Sequence, residues 1–193
     1  MRRARALLMA ATVLALVTGC TTVRITGTSR SSIEQRLLVR ALERAAARLD
    51  QRSLQGRRLR LEMFGLTPDH VFARDFFRAR LQARGLDVTS AADAEITLQI
   101  FATALAVDTA DTLLGLPSMQ APILAVPIPE IALFKWERSR GHAEVQVYEY
   151  DAAGRFTGQR PDARGESRYN RFTILIFISF SVSDIDKTPH DAP

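Results

Sequence analysis

The sequence predicts an α/β (α+β) two-layer sandwich, a mixed sheet of about five strands with two helices on one face. Helical and strand periodicities alternate over residues 32–107, giving helix, strand, helix, strand. Residues 131–182 then carry only β-type patterning, so strands dominate the C-terminal half. With 193 residues, 47% of them apolar, the chain is long enough for one core and too apolar for a disordered one.

The first element is an address. Arg2, Arg3 and Arg5 precede an apolar run from Ala6 to Val17 in which Thr12 is the only polar residue. The run is shorter than the roughly 20 residues that a membrane-spanning helix needs and suits a signal-peptide core. It closes on Val17-Thr18-Gly19-Cys20, with the chain's only cysteine. This resembles the bacterial lipobox, which implies cleavage after residue 19 and lipidation of Cys20. Position 21 is Thr. In lipoproteins of two-membrane bacteria an Asp there commonly retains the protein in the inner membrane. The resemblance therefore implies acyl anchorage at the outer membrane, on its periplasmic face.

Residues 20–31 read as the lipidated cysteine and a polar tether. Ser31 and Glu34 form a capping box, and Ile33, Leu37, Leu38, Ala41, Leu42, Ala45 and Leu49 repeat at helical spacing, so a helix is predicted over 32–51. Its other side carries Arg36, Arg40, Arg44 and Arg48, four apart, a row that could meet anionic lipid headgroups or be an ordinary solvated face. Leu59, Leu61 and Met63 alternate with charged residues and predict a strand. Thr67-Pro68 predicts the start of a second helix over 68–84, with Phe72, Phe76, Phe77 and Leu81 on its apolar side and Gly85 as its stop. Leu86 and Val88 make a short extended piece, and Ile96, Leu98 and Ile100 open a strand to about Val107.

Residues 109–130 are predicted as a long loop because Pro117, Pro122, Pro127 and Pro129 oppose regular structure. It is an unusual loop, being rich in Leu113, Leu114, Leu116, Met119, Ile123, Leu124, Val126 and Ile128. Such a segment is either an interaction surface or a lid over its own sheet. Ile131–Arg138 and His142–Tyr150 then read as a hairpin turning at Ser139-Arg140-Gly141, and Asp151–Gly154 as a second turn. A short strand at Arg155–Thr157, a polar loop over 158–167 and a buried strand over 173–182 complete a single domain of residues 32–186. Residues 187–193 form a loose tail.

The formal charge of +5 falls to +2 without the three leader arginines, 23 basic against 21 acidic side chains, too weak a field for a nucleic-acid protein. One cysteine and three histidines exclude multi-cysteine metal sites, and no spaced ligand motif or phosphate loop occurs, so no metal and no cofactor are expected. No nucleophile elbow is present. The residue types nearest to a catalytic set are Asp108, Asp111 and His142. His70 and His190 fall in a helix start and in the tail.

The chain after residue 21 resembles an uncharacterised family of bacterial lipoproteins, a domain of unknown function. The likeness rests on Ser32-Ile33-Glu34-Gln35-Arg36-Leu37-Leu38, Leu114-Gly115-Leu116-Pro117 and Pro127-Ile128-Pro129-Glu130-Ile131-Ala132-Leu133-Phe134-Lys135. The element order is more distantly similar to periplasmic lipoproteins of the curli-secretion-channel type, which oligomerise, a likeness at fold level only. The expectation is a non-enzymatic, lipid-anchored structural or interaction protein of the cell envelope, in an assembly with its own copies or with an envelope partner. The alternative is a binding module for a small apolar or lipid ligand, with residues 113–128 lining a cavity beside Phe72, Phe76 and Phe77.

Overall fold

The computed structural model describes residues 20–25, 30–90, 93–120 and 127–185. Helix α1 (Ser32–Arg48) starts at the predicted box: the Glu34 amide donates to Ser31 Oγ at 3.3 Å and the Ser31 amide to Glu34 Oε2 at 2.8 Å. It buries Leu37, Leu38, Ala41, Leu42, Ala45 and Ala46, and ends three residues before the predicted stop. Strand β2 (Arg58–Gly65) buries Leu59, Leu61 and Met63 as its alternation requires. Helix α2 (His70–Gln82) begins later than predicted. Asp69 is its cap residue without a side-chain cap bond, and Thr67 instead accepts a 2.7 Å hydrogen bond at its carbonyl from His70 Nδ1. After α2, Gly85 takes φ +82°, a left-handed stop. Strand β3 (Asp87–Thr89) pairs parallel to β2.

The mixed sheet of an α+β fold is present, with seven strands rather than five. The path is β3-β2-β4-β7-β8-β9, where β4 is Ile96–Leu116, β7 Ile131–Asp151, β8 Phe156–Ile174 and β9 Ile178–Ser183, and β1 (Cys20–Ile25) pairs with β4. Residues 20–25, predicted as tether, are thus a strand. Strand β4 runs parallel to β2, with Leu59 beside Ile96 and Gly65 beside Ala102. Its buried positions are Ile96, Leu98, Ile100 and Ala102, then Leu105 and Val107. The parity changes once, as one extra residue near Thr103–Ala104 would require.

Three sequence expectations fail in the second half, the first two for one reason. Residues 131–151 are one strand, β7 (Ile131–Asp151), with no hairpin at Ser139-Arg140-Gly141. Residues 158–167 are not loop but part of strand β8 (Phe156–Ile174). The predicted buried strand over 173–182 is instead the end of β8, a turn at 175–177 and the exposed strand β9 (Ile178–Ser183). Glycine and polar residues are turn signals in a sequence, but Gly141, Gly165 and Ser167 face the backbone of α1. A Cβ on Gly165 would lie 1.9 Å from the Ala41 carbonyl oxygen, and one on Gly141 would lie 2.6 Å from that of Leu37. Ala143, Ala163 and Ser167 are further small, buried residues of β7 and β8. The glycines admit a helix rather than turn a chain.

Two compact units result. Of the described residues, the α/β unit holds 30–90, 93–108, 140–168 and 184–185, and the all-β unit holds 20–25, 109–120, 127–139 and 169–183. In the first, α1 and α2 pack on each other, α1 covers β7 and β8, and α2 covers β2 and β3. The core of this unit is fully buried: Leu37, Leu42, Leu54, Phe77, Leu81, Leu98, Ile100, Val145 and Val147. Each such side chain contributes about 1.5–3 kcal/mol.

Candidate functional site

Both faces of the all-β unit can be assigned from its pairings. Strands β8 and β9 are antiparallel, with Thr173 beside Ser179, Arg171 beside Ser181, and Tyr169 beside Ser183. These six residues share one face, joined by Lys135 and Glu137 of β7. The alternate positions pair Phe172 with Phe180, Ile174 with Ile178 and Asn170 with Val182. Trp136 joins this second face, stacking on Phe172 at 5.7 Å and donating to Asn170 Oδ1 at 3.1 Å. Phe172 in turn stacks on Phe180 at 5.1 Å. The unit is an amphipathic sheet, polar on one side and apolar on the other.

The apolar positions are not covered. Ile178, Phe180 and Val182 are all exposed, as are Leu114, Leu116, Ile131 and Leu133. Strand β9 ends the sheet path, so its outer backbone edge is unpaired by any described strand. Edge strands are normally blunted by charge, proline or a bulge. Residues 172–183 contain neither a charged residue nor a proline.

The turn before β9 is strained. Leu175 and Ile176 have φ of +48° and +69°, a region that costs an L residue about 1–2 kcal/mol and suits a β-branched one least. The Leu175 amide donates to the Leu133 carbonyl at 2.9 Å and the Ile176 amide to that of Ala132 at 3.0 Å. Two hydrogen bonds to β7 therefore hold the strained conformation in place.

The polar face holds an open cleft of about 480 Å³, lined by Glu130, Lys135, Glu137, Tyr169, Arg171, Thr173, Ser179 and Ser181 with Ala132, Ile176 and Phe180. The Thr173 and Ser179 hydroxyls lie 3.0 Å apart. Lys135 Nζ sits 3.0 Å from Glu130 and 3.5 Å from Glu137. Partial burial opposes its charge, but the Glu130 hydrogen bond and the charges of Glu137, Glu130 and Asp111 hold its pKa above the ordinary lysine value. Lys135 is therefore a fixed cation and a poor nucleophile.

Cys20 opens β1, while Val17, Thr18 and Gly19 lie outside the described residues. The apolar segment is a loop only in part. Leu113, Leu114 and Leu116 belong to β4, Met119 to β5 (Met119–Gln120) and Ile128 to β6 (Pro127–Ile128), which pairs antiparallel with β5. Ile123, Leu124 and Val126 lie outside the described residues. Gly115 makes the extension of β4 workable: a Cβ there would meet the Ile131 carbonyl oxygen at 2.1 Å.

The arginine row of α1 is engaged with protein acceptors. Arg40 pairs with Glu43 at 2.6 Å, Arg44 with Asp184 at 2.7 Å, and Arg48 donates to the Arg164 carbonyl at 2.7 Å. Arg44 also donates to the Glu166 carbonyl, and Arg36 is exposed. Spacing of four placed these residues on a row but did not reveal that strand β8 runs alongside it.

His142 Nε2 lies 3.4 Å from Asp108 Oδ2 in the α/β unit, whereas Asp111 belongs to the all-β unit. Among the described residues no three His, Cys, Asp or Glu side chains group as a metal site. Phe77 is buried in the α/β core, and Phe72 stacks on Phe76 at 5.8 Å in that same unit. The described residues 113–120 and 127–128 belong to the other unit. The β8–β9 hairpin went unrecognised as a site in the sequence. Its signal was the strict alternation Ile178-Ser179-Phe180-Ser181-Val182-Ser183.

No protein-family model, no curated protein and no solved structure matches the chain.

Proposed function

We propose that this chain is a lipid-anchored protein of the bacterial cell envelope, held through Cys20 at the periplasmic face of the outer membrane, and that copies of it assemble through the all-β unit. On this reading it is a structural or interaction protein and performs no catalysis. The uncovered apolar face ending at the unguarded β9 edge carries the reading. An exposed apolar patch rimmed by polar residues marks an interaction surface, and an open edge is a template for a further strand. The lipobox-like Val17-Thr18-Gly19-Cys20 supports the anchor.

The test is the mass of the purified acylated protein in mild detergent, by light scattering. The expected value is a multiple of the mass of the mature lipidated chain, which begins at Cys20, falling to one chain when Val182→Lys and Ser181→Pro blunt the edge. A single-chain mass for the unaltered protein across the concentration range overturns the reading.

A second reading, a small-ligand binding module, has the 480 Å³ cleft in its favour. Its hydroxyl- and charge-rich lining suits a polar headgroup better than the apolar body of a ligand.

A further inference from the structure

We propose that the turn from Leu175 to Ile178 is a membrane-seating wedge, whose apolar tip enters the interface of the bilayer that carries the Cys20 anchor. The inference rests on the anchor just proposed and adds a second, residue-level contact with the same membrane.

Four consecutive apolar side chains stand in solvent there: Leu175 is 58% exposed, Ile176 48%, Phe177 87% and Ile178 58%. A turn meant for water carries Gly, Asn, Asp or Ser, and left-handed positions select Gly or Asn above all. Here Leu175 and Ile176 hold those positions, with φ of +48° and +69°. The amides of both are tied to the Leu133 and Ala132 carbonyls, so the tip is a fixed projection. Strain retained at an exposed apolar tip points to a use for its side chains.

The choice of membrane over protein follows from shape, charge and position. Phe177, 87% exposed, is a protruding point beyond the broader apolar face. The hairpin carries no charge from Phe172 to Ser183, and charge returns at Arg171 on one side and Asp184 on the other. Such a sequence lets the tip sink to headgroup depth and stops it there. The first residue of β1, Cys20, belongs to the same compact unit as the tip. An acyl anchor there keeps the tip at high effective concentration beside the bilayer. The acyl chains supply affinity, and the wedge supplies orientation.

The test uses the full chain from an acylating bacterial host, reconstituted into phosphatidylethanolamine and phosphatidylglycerol vesicles containing brominated lipid. Trp136, the chain's only tryptophan, is replaced by Trp136→Phe, and Phe177→Trp places the reporter at the tip. The expected result is a blue-shifted emission that brominated lipid quenches by about half, as insertion of roughly 5–10 Å implies. Ile178→Trp serves as a second reporter should the first variant fail to fold, with circular dichroism as the check. Mass analysis of the Cys20 peptide is run in parallel. An acylated Cys20 with an unquenched reporter overturns the wedge while leaving the anchor intact. An unmodified Cys20 with a quenched reporter overturns the anchor and leaves the tip's membrane contact standing. Phe177→Cys chains that cross-link to one another while the tip reporter stays unquenched overturn the wedge in favour of a contact between copies.

Discussion

Ser167 on β8 donates its hydroxyl to the Leu37 carbonyl of α1 across 2.6 Å, in the fully buried seam between helix and sheet. It is the only buried polar side chain among the described residues, and it sits where Gly141 and Gly165 bring strand and helix backbones together. The seam is close because its residues are small, and the one polar atom that reaches it finds an acceptor.

Gly165→Ala should destabilise the protein by about 1–3 kcal/mol, because the new methyl would sit 1.9 Å from a helix carbonyl with backbone on both sides. Gly158→Ala on the same strand has open space and should stay within about 0.5 kcal/mol of the parent. Urea denaturation of the pair separates the seam from any general intolerance of alanine in β8. Equal losses would sink the close-approach account.

Phe77→Ala removes the largest fully buried side chain among the described residues and should cost about 3–5 kcal/mol. Its neighbour Phe76 is only partly buried and should cost less when truncated. Thermal unfolding of both variants checks the order.

Ile176→Asn should stabilise the turn by up to about 1 kcal/mol, since Asn tolerates the left-handed region and the amide bond to Ala132 remains. Calorimetry would register a higher Tm. Added to the Phe177→Trp reporter chain, the same substitution should weaken quenching by brominated lipid, setting stability against membrane contact.

Asp151 should anchor the β7–β8 turn in a pH-dependent way. The Arg155 amide, foremost, and then the Arg155 side chain and the Ala153 amide hold its carboxyl below the usual aspartate range; desolvation opposes them. A depressed native pKa means that the group's contribution is complete above about pH 4 and is lost as pH falls through the native value. Carbon-detected titration of the Asp151 carboxyl should give a midpoint below that of an unstructured peptide. Asp151→Asn should remove this part of the acid sensitivity.

Local patterns determined much of this protein without help. The capping box of Ser31 and Glu34, the period of α1, the alternation of Leu59, Leu61 and Met63, and Phe77 and Leu81 on α2 are all short-range signals. They place the helices and early strands because each depends on neighbours three or four residues away. Tertiary structure alone decided the second half. Gly141 and the polar run 158–167 look like turns, and they become strand only because α1, remote in sequence, passes over them. Burial of the late apolar run was a similar decision. Ile174, Ile178, Phe180 and Val182 have the composition of a core strand, yet whether a sheet face is covered depends on which element packs against it. Both α-helices among the described residues belong to the α/β unit. Ile178, Phe180 and Val182 of the all-β unit are exposed, and it is this face that the proposed assembly uses.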